Sequence, residues 1–110
     1  MVDLETARNL CCSFPQVVEC NHFGKPAYRV EKKIFATLWL EEKGAVVKLS
    51  KTEQPLLCEE FPLAVAPVKS KWGKFGWTYI DLNKVTEAAL KKLLATAWMN
   101  IAPASLRKRR

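Results

Sequence analysis

Apolar residues recur along the chain at spacings that predict helices near both ends. The helical i, i+3, i+7 spacing runs through residues 4–14, and Asp3 can cap this first helix. A longer stripe of the same kind covers residues 90–101, for which Asn83 is the predicted N-cap and Pro103 the stop. The sequence therefore predicts amphipathic helices at the start and at the end of the chain.

Short β-branched or apolar runs separated by turn residues fill the middle of the chain. Residues 52–60 are the exception, because a capping residue and a proline there predict one or two helical turns. The last run but one contains Pro62 and Pro67, which predicts an edge strand or an extended connection. The predicted strands are residues 16–20, 27–30, 34–40, 45–49, 61–68 and 77–82.

The longest predicted strand, 34–40, is apolar on both faces. Strict alternation would send Ile34, Ala36, Leu38 and Leu40 to one face and Phe35, Thr37 and Trp39 to the other. Helices can cover one of these faces. The apolar residues of the other face then need a different explanation. Together the elements predict a two-layer α+β domain over residues 1–106, with helices on one face of an antiparallel sheet, and a basic tail over residues 107–110.

The composition is that of a globular protein, with 49% apolar and 26% charged residues among 110. The net charge of +7 is unevenly placed, because residues 1–60 carry eight Lys/Arg and nine Asp/Glu, and residues 61–110 carry ten and two. A basic second half suggests an anionic partner such as nucleic acid. A solvated face that keeps the protein soluble remains the alternative.

The sequence contains no run of about 18 apolar residues and no signal-peptide pattern at its start, so we expect a cytoplasmic protein with no membrane contact. The four cysteines, Cys11, Cys12, Cys20 and Cys58, lack metal-site spacing. We expect them to be reduced and mostly buried, and we expect neither a metal nor a cofactor.

The only histidine, His22, could share a strand face with Cys20, which is the minimum for a nucleophile pair. Such a pair also needs an orienting group and an oxyanion site, for which the sequence has no pattern. No glycine-rich phosphate loop is present either. We therefore expect a non-enzymatic protein.

Cations and aromatic residues interleave in the predicted loop 69–76. Phosphates could contact the cations while an aromatic ring stacks on a base, and the basic tail could add to this site. The predicted nucleic-acid site comprises Lys69, Lys71, Trp72, Lys74, Arg107, Lys108, Arg109 and Arg110. The alternative is a loop whose aromatic residues anchor it, since we expect four tryptophans in a small domain to serve mostly the core.

Specific residue runs resemble the MmcQ/YjbR family. The first helix ends in Cys-Ser-Phe-Pro at 12–15, His-Phe-Gly-Lys-Pro follows at 22–26, Lys-Ile-Phe-Ala at 33–36, and Trp-Thr-Tyr-Ile-Asp-Leu at 77–82. The resemblance implies a small bacterial protein with a curved antiparallel sheet and helices on one face, as in secretion-chaperone-like and double-wing folds. It also implies DNA binding.

Within that motif, we expect some side chains to meet on the sheet face opposite the helices, where they could hold an anionic or peptide ligand. This possible sheet-face site comprises His22, Tyr28, Lys33, Trp39, Lys48 and Tyr79. Two functions remain open. One is DNA binding through backbone phosphates with little sequence specificity, and the other is a chaperone-like protein-interaction module that uses this face, with a monomer favoured over an oligomer.

Overall fold

A six-stranded antiparallel sheet with helices packed on one face forms the protein, as the sequence predicted. The computed structural model describes residues 1–107. The helices are α1 (Leu4–Cys12), α2 (Glu53–Glu60), α3 (Glu87–Ile101) and α4 (Ala104–Arg107), with a 3-10 helix at Lys71–Phe75. The strands are β1 (Val17–His22), β2 (Lys25–Val30), β3 (Lys33–Trp39), β4 (Gly44–Lys48), β5 (Val65–Pro67) and β6 (Trp77–Asp81).

The strands lie in the order β1-β2-β3-β4-β6-β5, and every neighbouring pair is antiparallel. The short strand β5 ends in Pro67 and forms one edge, as expected for a run interrupted by prolines. Of the predicted tail, 107–110, only the backbone of Arg107 is described, and it is the last residue of α4. Lys108, Arg109 and Arg110 lie outside the described residues.

Side-chain caps fix where α1 and α3 begin, whereas the hydroxyl of Thr52 forms no such bond at the start of α2. Asp3 caps α1 as predicted, because its carboxylate accepts a backbone N–H of the first turn at 2.7 Å. The prediction of Asn83 as the cap of α3 is wrong. Thr86 is the cap, and its hydroxyl accepts the N–H of Ala89 at 3.1 Å. The backbone N–H of Asn83 instead donates to the carboxylate of Asp81 at 2.9 Å, within the turn that leads to the helix.

An aromatic cluster joins the helices to the sheet. The ring of Phe14 lies 6.2 Å from that of the buried Trp98 on α3, and 6.2 Å from that of Phe35 on β3. The indole N–H of Trp98 also donates to the carbonyl of Pro15 at 3.1 Å, so its polar atom is satisfied although the ring is buried. These contacts connect the end of α1, the middle of α3 and the centre of the sheet.

A β-bulge in β3 overturns the predicted alternation of its side chains. Tyr28 pairs with Ala36 and Arg29 pairs with Ile34, which leaves Phe35 without a partner on β2. The extra residue directs Phe35 into the core with Ala36, while Ile34 shares the opposite face with Thr37 and Trp39. The helix-free face of the sheet therefore gains a large aliphatic side chain that a regular strand would have buried.

Gly76 and Gly24 both have positive φ, but only Gly76 lies close to another backbone segment, at Leu49. Comparing variants at the two positions tests this close approach. A Cβ on Gly76 (φ 103°) would lie 1.9 Å from the carbonyl oxygen of Leu49, whereas a Cβ on Gly24 (φ 82°) would meet nothing within 4 Å. We expect Gly24→Ala to lower the free energy of unfolding by about 1 kcal/mol, and Gly76→Ala by at least about 3 kcal/mol, since only the latter adds a clash to the strain. Urea denaturation of both variants measures the difference, and equal losses would contradict the close approach.

Candidate functional site

The sheet face opposite α1 and α3 contains a groove of about 580 Å³, called the sheet groove below. His22 and Phe23 line one side of it, and Val68 and Trp72 line the other. Trp39 and Trp77 lie between the two sides. Because β1 and β2 lie near one edge of the sheet and β5 forms the other, the two sides of the groove come from opposite ends of the strand order. The groove thus spans the sheet.

The turn between β1 and β2 places Phe23 at one rim of the sheet groove. His22 pairs with Lys25, so only Phe23 and Gly24 form the turn. Both have positive φ, 54° and 82°, as a type I′ hairpin turn requires. This backbone conformation disfavours aromatic residues. Phe23 is also 90% exposed, so its side chain buries little surface in the fold. The fold itself gains little from a phenylalanine here.

The 3-10 helix places Trp72 at the opposite rim. The sequence predicted a loop at residues 69–76, but Ser70 caps this short helix by accepting the N–H of Trp72 at 3.3 Å, and Gly76 ends it in the left-handed conformation. Trp72 is 53% exposed and Phe75 is 44% exposed, with ring centres 6.0 Å apart. The expectation that aromatic residues of this segment anchor it in the core is therefore wrong.

The buried side chain of Gln54 on α2 fixes the segment instead. Its amide nitrogen lies 2.9 Å from the carbonyl oxygen of Gly73 and 3.0 Å from the hydroxyl of Thr78, with the Trp77 carbonyl at 3.2 Å. A Cβ on Gly73 would lie 2.2 Å from the carbonyl oxygen of Val68, so the backbone is closely packed there. Trp72 is thus exposed but carried on a fixed backbone.

Lysines lie beside the aromatic rings of the sheet groove. The ammonium of Lys25 is 5.2 Å from the ring centre of Trp39, and that of Lys71 is 5.6 Å from the ring centre of Trp72. Lys32 also lines the groove. None of the described residues that line it is a carboxylate, so the local charge is positive.

The other lysines of the predicted nucleic-acid site flank the sheet groove. Lys69 and Lys74 are exposed near Trp72 along the chain, and the ammonium of Lys74 lies 5.6 Å from the ring of Phe75, but neither lines the groove. Nothing is described of the Arg107 side chain or of residues 108–110. The structure therefore brings Trp72 to a concavity, with the Lys71 ammonium beside its ring, whereas Lys69, Lys71 and Lys74 do not line that concavity.

Four residues of the predicted sheet-face site do share the groove side of the sheet. His22 and Trp39 line the groove, and Tyr79 contacts Trp39 with ring centres 5.9 Å apart. Lys48 pairs with Trp77, and its ammonium lies 5.8 Å from the Trp77 ring and donates to the carbonyl of Phe75. This ammonium ties β4 to the 3-10 segment.

The prediction that Tyr28 and Lys33 belong to that site is wrong. Lys33 pairs with the buried Val30, so it is directed to the helix-bearing face. Tyr28 is fully buried on the same face, and its hydroxyl donates to the Glu19 carboxylate at 2.7 Å. Arg8 donates to both oxygens of that carboxylate, at 2.8 and 2.9 Å. The bulge in β3 and this polar cluster account for the misplacement.

The candidates for catalysis or metal binding are His22 and the four cysteines. Within residues 1–107, no acid or thiol hydrogen-bonds His22, whose ring lies 4.6 Å from that of Phe23. The same residues contain no group of three potential metal ligands. All four cysteines are free, but only Cys11 is fully buried, which corrects the expectation that most are buried. Burial raises the pKa of the Cys11 thiol to about 12.

Sequence reasoning missed Phe23, Lys25, Lys32 and Ile34 as groove residues. The two-residue turn between paired strands could have been recognised from Phe23-Gly24, since glycine at that position favours a tight hairpin. The exposure of Ile34 depends on the bulge, which no local pattern indicates. The expectation that the tryptophans serve mostly the core is also wrong, since Trp98 alone of the four is fully buried.

Comparison with known proteins agrees with this architecture. A family model described as YjbR matches residues 12–100. The chain belongs to the YjbR family. The crystal structure of DR2400 from Deinococcus radiodurans, with a DUF419 domain, superposes on this YjbR chain with a TM-score of 0.80. The two are 18% identical, with 99% of this chain and 88% of DR2400 covered, so the similarity concerns the fold.

No curated protein matches this YjbR chain at a significant level. None of the helices within residues 1–107 combines the length and apolarity needed to cross a membrane. The family resemblance inferred from the sequence is confirmed, and so is the α+β class.

Removing the amide of Gln54 should loosen the 3-10 segment. Gln54→Leu leaves the buried Gly73 carbonyl without its side-chain donor, so we expect a loss of about 2 kcal/mol in the free energy of unfolding. Hydrogen exchange should accelerate at the amides of Gly73 and Gly76, while the amides of α3 keep the protection expected from the lower stability alone. A double-mutant cycle with Thr78→Val, measured by urea denaturation, isolates the coupling of the two side chains. Additive losses would contradict a direct bond.

The carboxylate of Glu19 should make stability depend on pH. Hydrogen bonds from Arg8 and then Tyr28 hold the pKa of Glu19 below its ordinary value of 4.5. Its stabilisation is therefore fully present above about pH 4.5 and is lost as the pH falls through the lowered pKa. Wild type should be more stable than Glu19→Gln at pH 7, and the difference should shrink in that acid range. Glu59→Gln, at an exposed position with no described partner, is the control and should give no such difference.

Proposed function

We propose that this YjbR protein is a non-enzymatic DNA-binding protein that holds backbone phosphates in the sheet groove with little sequence preference. The observation that carries the proposal is the combination of lysines, exposed aromatic rings and absent carboxylates in one described concavity. Lys25 and Lys32 line it at the two hairpin ends of β2, and the Lys71 ammonium lies next to the ring of Trp72, which lines it as well.

The distribution of charge supports an anionic ligand. The chain carries a net charge of +7, and its second half has ten basic and two acidic residues. Lys69 and Lys74, which flank the sheet groove, extend its positive field beyond the lining residues. Such a field attracts nucleic acid. The affinity falls as the salt concentration rises, because binding releases counterions from the phosphates and this release is less favourable at high salt.

Low sequence preference follows from the polar groups of the sheet groove. Base-specific readout relies on side chains such as Arg, Asn and Gln that can form paired hydrogen bonds to base edges. None of these three residue types lines the groove, where His22, Thr37 and Ser70 are the hydrogen-bonding side chains besides the lysines and tryptophans. Lysine ammonium groups contact phosphates without reading sequence.

The aliphatic floor of the sheet groove, formed in part by Ile34 and Val46, favours a second candidate, a peptide segment of another protein. A protein-interaction module of this kind would bury aliphatic side chains against that floor. The lysines at the rims favour an acidic peptide or a nucleic acid over an uncharged peptide as the ligand, because an uncharged peptide would leave their ammonium groups unpaired.

Substituting the two lysines that line the sheet groove and the one beside Trp72 should weaken DNA binding and reduce its dependence on salt. In the triple variant Lys25→Gln, Lys32→Gln, Lys71→Gln, three phosphate contacts are lost. The slope of log affinity against log salt should become less steep by about 2.7 for duplex DNA, or by about 2.1 for a single strand. Fluorescence anisotropy of labelled DNA over a salt series measures both quantities.

The matched control is Lys51→Gln, Lys84→Gln, Lys91→Gln, which removes the same charge at exposed positions outside the sheet groove. It should retain most of the slope. A further variant of the full-length chain, with serine at residues 107–110, measures the contribution of the predicted tail. Absence of binding at low salt rejects DNA binding. Equal losses in both triple variants would instead indicate general attraction to a basic protein and reject the groove as the site.

A further inference from the structure

We infer that the sheet groove binds single-stranded DNA in preference to duplex, with Phe23 and Trp72 stacking on unpaired bases from opposite rims. This inference rests on the proposed function, because it requires that the groove hold DNA at all. It goes beyond that function by naming the form of DNA and the two side chains that select it.

The shape of the site argues for unpaired bases. Proteins that read duplex DNA insert a projecting helix or β-ribbon into a groove of the DNA. Here the charged and aromatic residues line a concavity of about 580 Å³, a size typical of sites for small ligands. Unstacked bases can enter such a space, whereas the base faces of a duplex are covered by their neighbours. A duplex could reach only the lysines at the rim.

Phe23 has the properties of a stacking residue. Its ring is 90% exposed, so water contacts it in the free protein, and its backbone occupies a left-handed conformation that disfavours aromatic residues. Neither property stabilises the fold. A ligand with a flat apolar face removes the ring from water, and the contact of Phe23 with the His22 ring limits the orientations it can adopt.

Trp72 presents the second aromatic surface from a fixed backbone. The cap provided by Ser70 and the hydrogen bonds of Gln54 hold the 3-10 helix in place. Because the segment is already ordered, stacking on Trp72 costs less conformational entropy than stacking on a mobile loop would. Its ring lies beside the Lys71 ammonium, 5.6 Å from the ring centre, where a phosphate of the same strand could be neutralised.

Each rim therefore carries an exposed aromatic residue and a lysine that lies close to it in the sequence. Phe23 lies two residues before Lys25 across the hairpin turn, and Trp72 directly follows Lys71. A single strand offers bases and phosphates in alternation, so each rim can take one base and one phosphate. The aromatic floor between the rims, with Trp39 and Trp77, can receive further bases.

Three labelled probes test this inference by anisotropy on the full-length protein. They are a 15-nucleotide thymidine strand, a duplex of the same length, and a 15-unit single strand with abasic sites in place of its bases. We expect the thymidine strand to bind more tightly than both other probes. Phe23→Ala and Trp72→Ala should each weaken its binding about tenfold to a hundredfold, and should leave binding of the abasic strand unchanged.

Conservative variants separate stacking from general hydrophobic contact. Phe23→Trp and Trp72→Phe keep an aromatic face and should retain most of the affinity, whereas Phe23→Leu should bind as weakly as Phe23→Ala. The control Leu56→Ala removes an exposed apolar side chain outside the sheet groove and should change nothing. Phe23 and Trp72 are exposed, and circular dichroism melting curves verify that the variants fold.

The outcomes distinguish failure of this inference from failure of the proposed function. If duplex or the abasic strand binds as tightly as the thymidine strand, the stacking inference is overturned while DNA binding stands. If both alanine variants bind the thymidine strand like wild type, it is overturned in the same way. If none of the three probes binds at low salt, DNA binding itself is rejected, and the peptide ligand takes its place.

Discussion

The β-bulge at Phe35 is the constraint on which both faces of the sheet depend. A regular strand would place Phe35 and Trp39 on one side, and the core would lose the ring that meets Phe14. The extra residue lets Phe35 join Phe14 and Trp98 on the helix side, while Trp39 remains on the groove side. One local irregularity thus completes the core and supplies apolar floor to the sheet groove.

The rim that carries Trp72 depends on polar bonds more than on apolar burial. Gln54 reaches it from α2, and Lys48 reaches it from β4 by donating to the carbonyl of Phe75. These bonds satisfy backbone carbonyls of a short helix whose aromatic side chains are exposed. A segment of this composition would otherwise have few contacts to hold it, and its rings would be free to turn toward the core. The polar anchors allow the protein to present aromatic surface to a ligand.

Local patterns predicted the elements well, and the placement of side chains less well. The stripe of α3, the cap at Asp3 and the proline-limited edge strand β5 follow from spacing and from single-residue chemistry, and the structure confirms them. Asn83 was assigned as a cap because it is a good capping residue, but Thr86 lies nearer the start of the stripe. Its hydroxyl accepts the capping bond from the N–H of Ala89.

The candidate site was only partly predictable for a physical reason. The sequence indicates Trp72 and Lys71 because cations and aromatic residues adjoin there. It indicates His22 through the motif that contains it, and Trp39 through the alternation of its strand. Those that line the groove lie on the same side of the sheet as Lys32 and Ile34 because of the strand pairing across the whole sheet and because of the bulge. Neither can be inferred from local sequence. Tyr28 was misplaced because its buried hydroxyl has a partner, Glu19, that lies on another strand.

The unequal distribution of tryptophans has a spectroscopic consequence. Trp98 is enclosed by the core, whereas Trp39, Trp72 and Trp77 line the sheet groove. Most of the indole absorbance, and with it the excitation of near-ultraviolet emission, therefore belongs to the groove. Emission from the unmodified protein reports occupancy of this face more directly than it reports the integrity of the hydrophobic core. A ligand that quenches it would do so without any loss of tertiary structure.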